Sequence, residues 1–442
     1  MKNHLKKRKI FFKQLSILIS IIFFILIFTN CSIAQKSETQ HTGWQFQSQR
    51  EEIEPVHWVE KNILYNGETT LAVAGDGKSY VNGSWSRTYA VCSGKYYEFI
   101  TFFKPENITQ LDRTVLAKIT WKAENEERIN FVEFPAVKAI ETKGGWFIIE
   151  QRYQIPEGAV KAQIDLIYRW DAKGKVYFGG TSFKETDAIP SRLVRLGTIH
   201  YEPKNTISSQ ENLEQFGKLL NIAGEQKADI VCLPEGITLV GTEKTYLDVS
   251  ETIPGPTTKF LGHIAKKYNM YIVAGIYEKD GPVLYNTAVL LGRDGKLQGK
   301  YRKVAVPREE IDGGITPGET FPVFDTDFGT IGIMVCWDVF FPEPARMLAF
   351  NGAEVIFMPI WGGDITLARA RAIENQVYLV SSSYHMKTGV FDKTGEFITE
   401  GTEKKPVVVV EVDLNQRKLF RGLGEFINRI QRELPSSKAI SY

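Results

Sequence analysis

Three side chains, far apart in a chain of 442 residues, have types that complement one another: Glu235 in Leu233-Pro234-Glu235, Lys303 in Tyr301-Arg302-Lys303, and Cys336 in Val335-Cys336-Trp337-Asp338. A free cysteine, with a pKa of ~8.5, is mostly thiol at neutral pH and needs a base before it can attack. A carboxylate such as Glu235 can take the thiol proton and later return it to a departing amine. Attack on a carbonyl carbon leaves negative charge on the oxygen, which the Lys303 ammonium and the backbone N–H of Trp337 can stabilise. Water then cleaves the thioester, with Glu235 again as base. The scheme needs no metal and no cofactor, and the chemistry it describes is cleavage of a C–N bond.

Those residues must be held by elements that bring distant positions together. From residue 193 onward, short apolar runs alternate with helical spacing. Runs at 194–199, 228–233, 270–275, 284–291, 330–335, 354–359, 377–382 and 407–412 read as strands, and 208–223, 257–268, 342–351 and 367–375 as helices. Such alternation predicts an α/β domain with helices covering sheet faces. Glu235 and Cys336 each close a predicted strand, and strand ends in α/β sheets are where ligands sit. No internal repeat or low-complexity tract is present.

The ordered Glu, Lys and Cys segments resemble the motifs of the nitrilase superfamily of carbon–nitrogen hydrolases. The flanks Phe341-Pro342-Glu343-x-Ala345-Arg346, Asn351-Gly352-Ala353-Glu354 and Arg369-x-Arg371-Ala372-x-Glu374-Asn375 are also similar to that family. The resemblance covers about 193–414. It implies an αββα sandwich, often paired into a homo-oligomer through its helical face, that acts on small amides, carbamoyl amines or, less often, nitriles. It also implies a second glutamate after the lysine. Glu309 and Glu310 are adjacent candidates, and Glu310 is the preferred one. It would orient Lys303 or the substrate amine, with Glu309 left as a substrate-binding candidate.

Other residues carry two readings. Trp361-Gly362-Gly363-Asp364 follows a strand end, so Trp361 either lines a pocket or belongs to a Gly-rich turn. Trp337 is a substrate-binding candidate by position. Asp338 caps the helix near Pro342 or braces the cysteine elbow. Arg346, Arg371 and Glu374 read as structural ion pairs, and Cys232 as an inert core thiol. The six histidines show no metal-ligand spacing, though a Cys–His dyad through His200 or His385 is an alternative to the glutamate base.

The N-terminal part differs in style. Residues 56–188 are rich in β-type runs punctuated by Gly, Pro and Asp, which predicts an all-β sandwich. Its aromatic residues and turn layout vaguely resemble a jelly-roll carbohydrate-binding module, so a glycan ligand is one expectation; a spacer or a lid over Cys336 is another. Residues 35–55 read as a linker. Residues 1–34 pair a Lys/Arg-rich start with an apolar run from Leu15 to Phe28, the pattern of an export signal. Lipidation at Cys31, cleavage after Ala34 and an uncleaved anchor compete as its ending, the first being preferred. The chain is therefore expected in the cell envelope, membrane-attached if lipidated, or secreted. Four cysteines do not suggest a disulfide framework. A net charge of +2 with 24% charged residues gives no basic stripe for nucleic acid. The domains are thus 1–34, 35–55, 56–188 and 191–430. The rival to an exported hydrolase is a surface glycan-binding protein whose nitrilase-like domain is non-catalytic or transfers acyl groups.

Overall fold

The computed structural model describes residues 43–142, 144–419, 425, 427–430 and 432. The expected export signal and the lipidation site Cys31 lie outside the described residues. Two compact units divide between Ile189 and Pro190. Among the described residues, no helix is long and apolar enough to cross a membrane.

The N-terminal unit is built from strands that all pair antiparallel. One sheet orders Gln45–Gln47, Asn82–Ala90, Lys161–Arg169 and Val115–Lys122. The other orders Val56–Tyr65, Glu68–Ala74, Lys175–Thr186, Tyr96–Glu106, Trp146–Gln154 and Val137–Thr142. Alternation places every second side chain inward. Trp85, Trp121 and Ile164 from the first sheet share one core with Leu71, Phe99, Phe103 and Phe178 from the second. The boundary differs from the expectation of a linker over 35–55. Trp44 is in the core, and Gln45–Gln47 pair with Ser84–Ser86. Three residues between polar neighbours are too short a run to show strand periodicity. Cys92 is disulfide-bonded, whereas Cys232 and Cys336 are free.

The C-terminal unit has two six-stranded mixed sheets. In the first, Leu193–Ile199, Ile230–Cys232 and Tyr271–Asp280 run parallel. Val407–Asp413 joins antiparallel at one edge, and Val283–Leu291 then Leu297–Arg302 at the other. In the second, Thr330–Ile333, Val355–Ile360 and Tyr378–Ser383 run parallel. Val323–Asp325 flanks one side, Thr388–Phe391 and Phe397–Gly401 the other. The sheets pack face to face through Val194, Leu196, Ile230, Val273, Ile331, Ile356 and Met358.

Helices cover the outer faces. Ser208 Oγ caps Ser209–Glu225 by accepting from Glu211 N at 3.3 Å. Leu213, Phe216, Leu220 and Ala223 then fall on one stripe and bury against the first sheet. Pro256–Tyr268 begins with proline, whose missing N–H costs nothing in a first turn, and ends at Asn269 in the left-handed conformation. Pro342–Phe350 and Ile365–Asn375 bury Ala345, Leu348, Ala368 and Ala372 on the second sheet.

Candidate active site

The chain brings Glu235, Lys303 and Cys336 to the same end of the two sheets. Beyond Ile230–Cys232 the ladder continues, with Leu233 N donating to Val273 O at 2.8 Å and Gly275 N to Pro234 O at 3.2 Å. That fixes the backbone at Glu235. Gly275 is required opposite it, since a Cβ there would lie 2.7 Å from Glu235 Cα. Lys303 directly follows Leu297–Arg302, held by its N–H to Asn286 O at 2.9 Å. Cys336 sits at φ +46°, a conformation a non-glycine residue rarely takes, and opens the 3-10 turn Cys336–Phe340.

Asp338 braces that elbow. It is fully buried and accepts from Val335 N, Ala305 N and Tyr301 Oη, each at 2.8 Å. One carboxylate thus ties the cysteine turn to the strand that carries Lys303. Of its two expected roles the structure shows the brace; the helix at Pro342 has no side-chain cap. Burial pushes the Asp338 carboxyl up to about 6, against the pull of its three donors.

At the centre, Lys303 Nζ donates to Glu235 Oε1 at 2.9 Å and to Glu310 Oε1 at 2.8 Å. Asn286 Nδ2 donates to the same two oxygens, at 2.7 and 3.0 Å. Trp361 N donates to Glu235 Oε2 at 3.0 Å. Glu235 and Lys303 are each 1% exposed, so neither charge is solvated and each depends on the other. Removing one partner of such a pair costs roughly 3–5 kcal/mol. Burial works against the Lys303 ammonium, but the charges of Glu235, Cys336 and Glu310 outweigh it and hold the lysine firmly protonated. Burial raises the Glu310 carboxyl, with Lys303 opposing. Cys336, itself nearly buried, has its thiol pushed up by burial first and then by the Glu235 charge. It rests as a thiol, donating through Sγ to Gly362 O at 3.8 Å, with the Glu235 charge acting on its proton.

The structure separates residues that sequence alone left level. Glu310 is buried against Lys303, whereas Glu309 is on the exposed side of the helical turn Arg308–Asp312. Trp361 is at the site through its N–H, and its ring packs edge-on to Tyr384 at 5.0 Å. Three residues on, Asp364 caps Ile365–Asn375. The Trp337 ring instead lies 38% exposed against Phe340. Arg371 and Arg346 pair with Glu374, and Arg371 Nε also holds Val339 O of the elbow at 3.1 Å. Cys232 is fully buried and its thiol is raised well above the usual range by that burial. The dyad is not assembled. His200 Nδ1 engages Ser383 O and Thr388, and His385 is a surface residue beside Glu202.

Sequence reasoning passed over Asn286, Tyr277 and Tyr384. Tyr384 Oη donates to Glu235 O at 2.9 Å, and Tyr277 is buried beside Glu235, Glu310 and Cys336. The Asn286-Thr287 pair inside the apolar run 284–291 was the available signal. A strand core admits polar groups only where partners await them.

This fold and constellation define a C–N hydrolase, and the sequence comparisons agree. The profile of the carbon-nitrogen hydrolase family matches residues 194–421. The chain belongs to that family, and its C-terminal half is a nitrilase-superfamily domain. A nitrilase of Pyrococcus abyssi is 35% identical over 50% of this chain and 90% of its own length. An omega-amidase of Bos taurus is 32% identical over 47% of this chain and 84% of its own. A solved Saccharomyces cerevisiae member of the nitrilase superfamily is 26% identical, covering 50% of this chain and 90% of that one, with a TM-score of 0.45.

Proposed function

We propose that the protein is an exported hydrolase of small amides or carbamoyl amines that works through a thioester on Cys336. The observation that supports this best is the buried cluster itself. A cysteine held as thiol by its surroundings has a carboxylate, Glu235, whose charge acts on its proton, and an ammonium is fixed 2.9 Å from that carboxylate. In this reading Glu235 takes the Cys336 proton as sulfur attacks the carbonyl carbon. Lys303 and the Trp337 N–H receive the oxyanion. The C–N bond breaks as Glu235 hands the proton to nitrogen, and ammonia or an amine leaves. Water, deprotonated by Glu235, then adds to the thioester; the acid is released and Cys336 regains its proton. Glu310 supports Lys303 and faces the amine. The alternation of a basic start and an apolar run in residues 1–34 motivates export.

The test is ammonia release from a panel of amides, ureido acids and nitriles, with intact-mass detection of the acyl-enzyme. Cys336→Ala is expected to abolish both turnover and adduct while melting like the wild type. Unchanged ammonia release from an accepted amide would refute the reading. Cell fractionation after expression in a secreting host checks export, and recovery in the cytosol counts against it.

A further inference from the structure

We infer that Asn286 is a positioning residue that selects which oxygen of Glu235 acts as the base. The inference deepens the proposed Glu235–Cys336 mechanism and rests on it. Asn286 is 1% exposed in the strand Val283–Leu291, which pairs with Tyr271–Asp280 on one side and with the edge strand Leu297–Arg302 on the other. Its position is fixed from both sides: it pairs with Tyr277 in the ladder, and its carbonyl accepts the Lys303 N–H at 2.9 Å.

Its side chain closes a ring. Two donors, Lys303 Nζ and Asn286 Nδ2, face two acceptors, Glu235 Oε1 and Glu310 Oε1, and all four bonds are made, at 2.7 to 3.0 Å. Glu235 Oε1 therefore carries two donors, one of them charged, and its lone pairs are occupied. Glu235 Oε2 accepts only the Trp361 N–H, at 3.0 Å. One lone pair is left on that carboxylate, on Oε2, and it is the one available to the Cys336 proton. Without Asn286, Lys303 alone would hold both Oε1 atoms. Glu235 Oε1 would then regain a lone pair, and the proton could settle on Oε1 in place of Oε2.

The ring has a second consequence. It holds two carboxylates side by side, and the neutral donor Nδ2 stabilises the ionised form of Glu310. Losing it raises that carboxylate's affinity for protons. Asn286 Oδ1 and Glu310 Oε2 are buried without a hydrogen-bond partner. The Asn286 amide is thus held by what its nitrogen gives, and its oxygen contributes no bond to the fold.

The experiment compares Asn286→Ala and Asn286→Asp with wild type and Cys336→Ala, on any amide the wild type turns over. Asn286→Asp keeps the shape but replaces the donor by a third carboxylate. Both are expected to lower kcat by roughly a hundredfold with KM little changed, the size of a displaced general base. Both should also move the acid limb of the kcat/KM profile upward, by about one pH unit for Ala and further for Asp. Counting competent sites by acyl-enzyme mass separates this from misfolding, which scales the rate equally at every pH and leaves the limb in place. A limb unmoved in Asn286→Asp, with full site occupancy, overturns the inference while the Glu–Lys–Cys mechanism stands. Turnover retained in Cys336→Ala overturns the mechanism itself, and the inference with it.

Discussion

Asp338→Asn isolates the clamp between the cysteine elbow and the lysine strand. The carboxylate accepts Ala305 N at Oδ1, and Tyr301 Oη and Val335 N at Oδ2. An amide of the same shape has one acceptor end. The arrangement that loses least keeps oxygen toward Tyr301 and Val335 and turns Nδ2 toward the Ala305 N–H, donor against donor. A buried donor left facing another donor costs about 1–3 kcal/mol, a loss expected in full at pH 5, where the wild-type carboxyl carries its proton. Ala305 lies two residues past Lys303, so the freed segment also displaces Nζ. Misplacement by about 1 Å costs on the order of a hundredfold in kcat.

The pH dependence adds a second handle on the same residue. In the fold, burial raises this carboxyl to about 6 from 3.8. Between those values the native state binds a proton that the unfolded chain does not, so the contribution is complete below 3.8 and is lost as pH rises through 6. Wild type should therefore gain on the variant as pH falls, by up to about 3 kcal/mol for a shift of roughly two pKa units. Urea melts from pH 4 to 8 and steady-state kinetics measure both effects. A variant within about 0.5 kcal/mol of wild type, with unchanged kcat and the same pH slope, would refute the clamp.

Three further outcomes follow from the geometry. Gly275→Ala forces a Cβ to within 2.7 Å of Glu235 Cα; activity should fall tenfold or more (an order-of-magnitude expectation) while secondary structure by circular dichroism is kept, and an active variant would show that this backbone contact does not set the base. The Cys336 thiol is raised by burial and by Glu235, so alkylation by iodoacetamide at pH 8 should be slower than for a free thiol; alkylation as fast as that of an unstructured cysteine peptide contradicts the assignment. In the sandwich, Trp121 is fully buried, and Trp121→Ala should cost about 3–5 kcal/mol in a denaturant melt, with a loss under about 1 kcal/mol counting against the core as described.

Sequence alone determined which groups could react and the kind of layers that would carry them. Glu235, Lys303 and Cys336 were identifiable because their chemistry is set by residue type, and because apolar runs and helical stripes are local patterns. The parallel strands were readable for the same reason: they are buried on both faces and each carries a run of apolar residues. The antiparallel Leu297–Arg302 and Phe397–Gly401 were not, since only one face of each is covered and their polar residues break the run. Gln45–Gln47 was lost to the same cause at shorter length.

Only the tertiary structure decided how the opening trio is held. Glu309 and Glu310 differ by one position in sequence but by burial against Lys303 in space, and one step around a helical turn is enough to separate the two. Asn286 has no motif of its own. Its place beside both glutamates exists because the edge strand sets it next to Lys303, a juxtaposition that depends on sheet register. Residue types fix what a group is able to do, whereas its proton affinity and its reach depend on burial and neighbours that come from other parts of the chain.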